Sequence, residues 1–191
     1  MKWFPGYNYL LASKSPRRQQ LLKSLGIGFQ TVIKYVEETY PDDLPKEEIP
    51  VYLARLKAEP FLQELQPNDL LITADTIVWL NGRVMGKPCD ASEAEQMLKE
   101  LSGNEHQVIS GVRLTSSEKS SEFYSISNVR FKTLTDAEIE HYIAEFNPFD
   151  KAGAYGIQEW IGLIGITHIE GSFYNVMGLP VQQLYQEIMR F

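Results

Sequence analysis

The run Ser13-Lys14-Ser15-Pro16-Arg17-Arg18 sets two hydroxyls and two guanidiniums where an apolar stretch, Tyr9-Leu10-Leu11-Ala12, gives way to a helix start. A serine cap followed by proline opens a helix whose free N–H groups and positive dipole end favour an anion. Arginine can hold phosphate oxygens through two parallel hydrogen bonds. The competing reading is a capped basic helix with solvated arginines. Asp75 follows the buried-strand pattern Leu70-Leu71-Ile72-Thr73. Open α/β sheets place ligands beyond the carboxyl end of such a strand. A carboxylate there could bind a metal or take a proton from an attacking water, the alternative being a hairpin cap. Gly86-Lys87-Pro88 puts a cation on a stiff loop, or else one exposed turn lysine. Of the acids Glu37, Glu38, Asp42, Asp43, Glu47 and Glu48, only Glu37, nearest the preceding strand, stands out as a magnesium ligand. Such a run otherwise reads as a solvated loop.

Other reactive residue types carry less. His106, His141 and His168 show no metal-ligand spacing and read as ordinary surface or core histidines. Cys89 has no activating base marked in sequence, so it reads as a structural thiol. There is no GxxxxGK[ST] loop, and Gly26-Ile27-Gly28 lacks the third glycine of a dinucleotide fingerprint because Thr31 stands there. P-loop and Rossmann dehydrogenase readings fall away.

The elements that must carry these residues alternate at first. Tyr9–Ala12 predicts a short buried strand, and a helix follows it with the stripe Leu21, Leu22 and Leu25 and a stop at Gly26. Phe29–Val36 predicts a strand, Glu37–Pro50 an acidic loop, and Val51–Leu65 a helix broken or kinked at Pro60. A buried strand from Leu70 ends at Ala74-Asp75-Thr76, so Asp75 sits beside a strand junction. Ile77–Leu80 and Arg83–Met85 then form a hairpin about Asn81-Gly82. Capping boxes at Ser92/Glu95 and Thr135/Glu138 start helices to Leu101 and Phe146. Two long strands lie between them, Gln107–Thr115 and Glu122–Phe131. The tail predicts strands at Gly162–Glu170 and Ser172–Met177 and a helix from Pro180 to Arg190. The class is α/β with a mixed sheet. No linker separates independent domains, although Ala91–Phe146 could form a lobe facing the rest across a cleft.

The 191 residues carry 43% hydrophobic and 23% charged side chains, the balance of a folding globular chain. A net charge of −7 argues against passive binding to nucleic acid, so any phosphate site must be a local basic cluster. One cysteine cannot form an internal disulfide and suits a reducing cytosol. The expectation is a cytoplasmic protein without membrane or nucleic-acid partners: Pro5, Gly6 and Asn8 interrupt any signal-peptide core, and the longest apolar stretch carries Asp75 in its middle.

Taken together, these pieces resemble one family. Leu11-Ala12-Ser13-Lys14-Ser15-Pro16-Arg17-Arg18, Val36-Glu37-Glu38, Leu53-Ala54-Arg55-Leu56-Lys57-Ala58, Ala74-Asp75-Thr76, Gly86-Lys87-Pro88, Leu101-Ser102-Gly103, Asp150-Lys151-Ala152-Gly153-Ala154-Tyr155-Gly156-Ile157-Gln158 and Val176-Met177-Gly178-Leu179-Pro180 are similar, in family order, to the Maf nucleotide pyrophosphatases. The resemblance implies one Maf/ITPase-like α/β domain over residues 1–191, a mixed β-sheet flanked by helices with two lobes around a central cleft. It implies a divalent-metal-dependent enzyme, using Mg²⁺ or Mn²⁺, that cleaves nucleoside triphosphates between the α and β phosphates and releases pyrophosphate. A homodimer is implied by the resemblance alone.

Residue by residue, Asp75 matches the family's acid–base position, and Glu37, Lys57 and Lys87 match its other charged catalytic positions. Asp75 and Glu37 are the implied metal ligands. Arg17, Thr76 and Gln158 match positions linked to substrate choice, with Ser13, Ser15 and Arg18 beside them at the substrate. Gly86-Lys87-Pro88 together with Gln158 looks like the subgroup acting on dTTP, UTP and modified pyrimidine nucleotides rather than 7-methyl-GTP. Glu59, Glu159 and Ser110 depart from the commoner lysine, glycine and threonine. Gln158 offers both an acceptor and a donor, which suits the edge of uracil or thymine. The rival readings are a nucleotide-binding regulator of cell division without turnover, and a pyrophosphatase for 7-methyl-GTP.

Overall fold

In the computed structural model, which describes residues 3–191, the first strand β1 (Asn8–Leu11) leads into helix α1 (Pro16–Ser24). Ser15 caps α1 by accepting from the Arg18 N–H, and Pro16 takes the first helical position, where its missing N–H is no loss. Leu21 and Leu22 are its buried face, and Gly26 turns the chain away at φ +80°. Strand β2 (Phe29–Thr31) is shorter than the expected Phe29–Val36. Its parallel partner β1 ends at Leu11 opposite Thr31, so the later residues have no ladder to join.

Helix α2 (Glu48–Ala58) starts before the expected Val51, inside the predicted loop. Pro50 lies in its first turn, which tolerates a missing donor. Regular helix then ends at Ala58, and Glu59–Phe61 continues as a single 3₁₀ turn, because Pro60 cannot donate to the turn before it.

Strand β3 (Asp69–Leu80) is the main correction near the site: the strand does not end at Ala74 but runs through Asp75. Residues Asp69–Ile72 pair in parallel with β1, and Val78–Leu80 pair antiparallel with β4 (Arg83–Met85) around the Asn81-Gly82 turn. Asp75 and Thr76 lie in the stretch between those two pairings.

Helix α3 (Ala91–Leu101) is capped by Asp90, not by the expected Ser92/Glu95 box. Asp90 is extended and accepts from the Glu93 N–H, and Glu93 accepts from the Cys89 N–H, so Ser92 is already helical. Strands β5 (Glu105–Thr115) and β6 (Ser120–Phe131) follow, then helix α4 (Asp136–Phe146) with the expected Thr135/Glu138 capping box. The tail departs from expectation. Trp160–Gly165 is helix α5, its buried residues Ile161 and Gly165 four apart as one helix face requires. Only Ile166–Glu170 is a strand, β7. Phe173–Val176 is a helical turn, α6, capped by Ser172, and α7 (Val181–Arg190) buries Val181, Leu184 and Ile188.

Among the described residues seven strands form one mixed sheet in the order β2-β1-β3-β5-β6-β7, with β4 paired to β3. The chain packs as two compact units. The first comprises Met1–Thr76, Ser110–Ser125 and Gly178–Phe191, the second Ile77–Ile109 and Ile126–Met177. The first buries Leu11, Leu22, Leu70, Ile72, Leu114 and Leu184, while Phe61 and Leu71 form a smaller cluster with Ala58. The second has its own core, including Met85, Leu98, Leu101, Phe131 and Tyr142.

Candidate active site

In the first unit, α2 and β3 bring Lys57 and Asp75 into a hydrogen-bonded ion pair. Lys57 Nζ also lies 3.1 Å from Glu38 Oε1. The Lys57 and Asp75 side chains are 17% and 13% exposed, so their pairing is shielded from solvent far more than a surface salt bridge would be. α2 is held close to β5 at Gly111, where a Cβ would collide with the backbone of Pro50 and Val51. Thr73 Oγ1 donates 2.7 Å to the Ala54 carbonyl, so β3 and α2 are also tied two residues before Asp75.

A second group sits at the start of α1. Arg18 Nε donates 2.8 Å to the Gly178 carbonyl and Arg18 Nη2 donates 3.0 Å to Thr76 Oγ1. Thr76 Oγ1 in turn lies 2.8 Å from Ser110 Oγ. Burial lowers the basicity of the Arg18 guanidinium, the Asp75 and Glu38 carboxylates pull the other way, and Arg17 adds to the lowering. Ser13 Oγ accepts from the Ser15 N–H at 3.2 Å, and the Ser13 carbonyl accepts from Gln19 Nε2 at 3.2 Å. Arg17 is half-buried on the first turn of α1.

Ser13, Ser15, Arg17, Arg18, Glu37, Lys57, Asp75 and Thr76 therefore all belong to the first unit. Among them, direct bonds join Lys57 to Asp75, Arg18 to Thr76 and Ser15, and Ser15 to Ser13. Glu37 is exposed in the loop after β2, and the acid that meets Lys57 is its neighbour Glu38. Sequence reasoning passed over Glu38, because no periodicity tells two adjacent loop acids apart. It also missed Ser110 and the Gly178 carbonyl as supports for Thr76 and Arg18, contacts that span 34 and 160 residues.

Lys87 and Gln158 belong to the second unit and are both exposed. The Lys87 loop is pinned where the Gly86 carbonyl accepts from the Gly153 N–H at 3.0 Å. Gln158 stands in a turn closed by the Glu159 N–H donating 3.0 Å to the Gly156 carbonyl. His106 is buried in the same unit, with Nε2 2.7 Å from Tyr155 Oη, and burial lowers its pKa to about 4. That makes it a neutral core histidine. Cys89 is an exposed free thiol whose pKa is raised by its hydrogen bond with Glu93.

Among the described residues no three His, Cys, Asp or Glu side chains cluster as a metal cage. Magnesium is commonly held by one or two carboxylates with substrate phosphates and water completing its shell. Asp75 and Glu38, which meet at Lys57 Nζ, offer two such carboxylates. Among the described residues no helix is long and apolar enough to cross a membrane.

Comparison with known proteins gives a consistent result. The family model described as Maf-like protein matches residues 8–191. A Phocaeicola vulgatus protein named dTTP/UTP pyrophosphatase is 53% identical over 185 residues, 96% of this chain and 96% of its own. A protein of the same name from Bacteroides thetaiotaomicron is 50% identical over 185 residues, again 96% of each chain. The structure of the Staphylococcus aureus Ham1 protein matches with a TM-score of 0.46 and 18% identity, covering 65% of this chain and 71% of that one, too loosely to carry an argument.

Proposed function

The chain belongs to the Maf family, and from that premise we propose that it hydrolyses dTTP, UTP and modified pyrimidine nucleoside triphosphates to the monophosphate and pyrophosphate, clearing them from the nucleotide pool. The carrying observation is the shielded Lys57–Asp75 ion pair with Glu38 beside it, a carboxylate oriented on a strand by a lysine. The relatives' shared name supports the pyrimidine substrates.

A nucleoside triphosphate carries about four negative charges, so catalysis is mostly positioning and charge neutralisation. Asp75 accepts the proton of the water that attacks the α phosphorus, and pyrophosphate leaves. Lys57 holds that carboxylate in place. Arg17, Lys87 and the Ser13–Ser15 helix start hold phosphate oxygens. Arg18 does a different job: two of its nitrogens are engaged, so it orients Thr76 at the substrate. Gln158 reads the donor–acceptor edge of uracil or thymine. Mg²⁺ or Mn²⁺, held by Asp75 with Glu37 or Glu38 and the phosphates, would offset charge on the triphosphate. Residues 1–191 act as one functional domain in the cytoplasm, and the chain assembles as a homodimer.

A nucleotide panel with pyrophosphate detection, with and without added Mg²⁺ or Mn²⁺, tests this reading. UTP and dTTP should be cut faster than GTP, ATP or 7-methyl-GTP, and only with metal. A purine preference would overturn the role given to Gln158. Nucleotide binding without any turnover would leave a regulator in place of an enzyme.

A further inference from the structure

Beside the exposed Gln158 runs a chain of hydrogen bonds that catalysis does not need. The Gly156 N–H donates to Tyr142 Oη at 3.0 Å, and Tyr142 Oη donates to Glu159 Oε2. Lys151 Nζ lies 3.1 Å from Glu159 Oε1 and 2.7 Å from Asp150 Oδ1, with its side chain only 7% exposed. The direction of every link is forced. An amide N–H and an ammonium can only donate and a carboxylate can only accept, so the single hydroxyl between them must relay from one to the other. Burial, and then the bond to Glu159, keep the Tyr142 hydroxyl from ionising.

The turn inside this clamp is tight. A Cβ on Gly156 would fall 2.8 Å from Glu159 Cδ and 3.0 Å from Gln158 Nε2. Just upstream, Ala154 is held at φ +58° although it is fully buried and not glycine, and Gly153 sits at φ +66° with Val78 where its Cβ would go. Strained backbone of this kind persists only where its surroundings fix it.

We propose that Glu159, through Tyr142 and Lys151, is a positioning residue that sets base specificity by locking the turn carrying Gln158. This rests on the reading of Gln158 as the residue that meets the base. Cytosine presents a reversed donor and acceptor pair, which a Gln amide meets only by turning over about its last side-chain bond. The Gln158 amide packs on this turn, its Nε2 3.0 Å from where a Cβ on Gly156 would stand, so a locked turn fixes the surface that holds the amide in the uracil orientation and a loosened one frees it to turn over.

The test is kcat/KM for UTP and CTP in Gln158→Ala, Glu159→Gln and the double variant. Glu159→Gln keeps the shape but gives the clamp an NH₂ donor where an acceptor is required. It should lower the UTP-to-CTP ratio about tenfold through KM, with kcat changed less than about twofold. Gln158→Ala should lower the ratio as much, and the double variant no further. If Glu159→Gln folds poorly, Tyr142→Phe, which removes only the relaying hydroxyl, should give the same fall in ratio. A ratio that survives Glu159→Gln or Tyr142→Phe while Gln158→Ala destroys it overturns the clamp alone. A ratio that survives Gln158→Ala overturns the base-reading role, and the clamp's role with it.

Discussion

The region around Asp75 and the turn around Gln158 hold their candidate functional side chains in different ways. Asp75 and Lys57 stand on a twelve-residue strand and an eleven-residue helix, and their positions follow from how β3 and α2 pack. Gln158 stands on irregular backbone, and the side chains of Tyr142, Lys151 and Glu159 supply the rigidity that regular structure supplies at Asp75. Charge placed for chemistry is best held on rigid elements. A loop can change which base it accepts without disturbing that chemistry, which is why specificity gathers on loops carried by a fixed scaffold.

The sharpest way to break the comparison is at Asp75. Asp75→Asn should reduce pyrophosphate release from UTP about 10²- to 10⁴-fold, the usual worth of a positioned acid–base group, while UTP binding measured by calorimetry persists. Appreciable turnover in that variant would leave the first region without its assigned chemistry.

The second unit should respond to acid through His106. Its folded pKa of about 4 lies below the ordinary 6.5 because burial disfavours the charged ring. The unfolded chain therefore binds the extra proton first. The stability tied to neutral His106 is complete above pH 6.5 and is lost as pH falls toward 4, by roughly 3 kcal/mol at most. Urea unfolding at pH 7 and pH 4.5 should show that loss in the wild type, and His106→Phe should flatten the slope between them. An unchanged slope would mean that the ring is not held neutral.

Much of this arrangement could be read from the sequence, and the parts that could not share a cause. Ser15-Pro16, Gly26, Asn81-Gly82 and the Thr135/Glu138 box declare their structures locally, because each fixes backbone dihedrals or caps a helix by itself. The end of β2, the continuation of β3 through Asp75 and the helical α5 depend on partners distant in sequence, and no local pattern encodes a partner. The charged residues were recognisable from the family resemblance, while Glu38, Ser110 and the Tyr142–Glu159 clamp emerged only once folding had set them beside their partners.

Two smaller effects sharpen the contrast. Gly111→Ala should cost about 1 to 3 kcal/mol in urea unfolding, and it should lower kcat, because the added Cβ pushes on the backbone of the helix that carries Lys57. Thr135→Ala should cost about 1 kcal/mol by removing the cap of α4, the helix that carries Tyr142. It should nevertheless leave the UTP-to-CTP ratio within about twofold, since the cap is not part of the clamp. A change in that ratio would tie specificity to the general stability of α4 and not to the hydrogen-bond chain.

The most direct measurement is hydrolysis of UTP in ¹⁸O-labelled water with mass analysis of both products. Attack of an Asp75-activated water at the α phosphorus predicts label in UMP and none in pyrophosphate. Label in pyrophosphate, or UDP and inorganic phosphate as products, would contradict it.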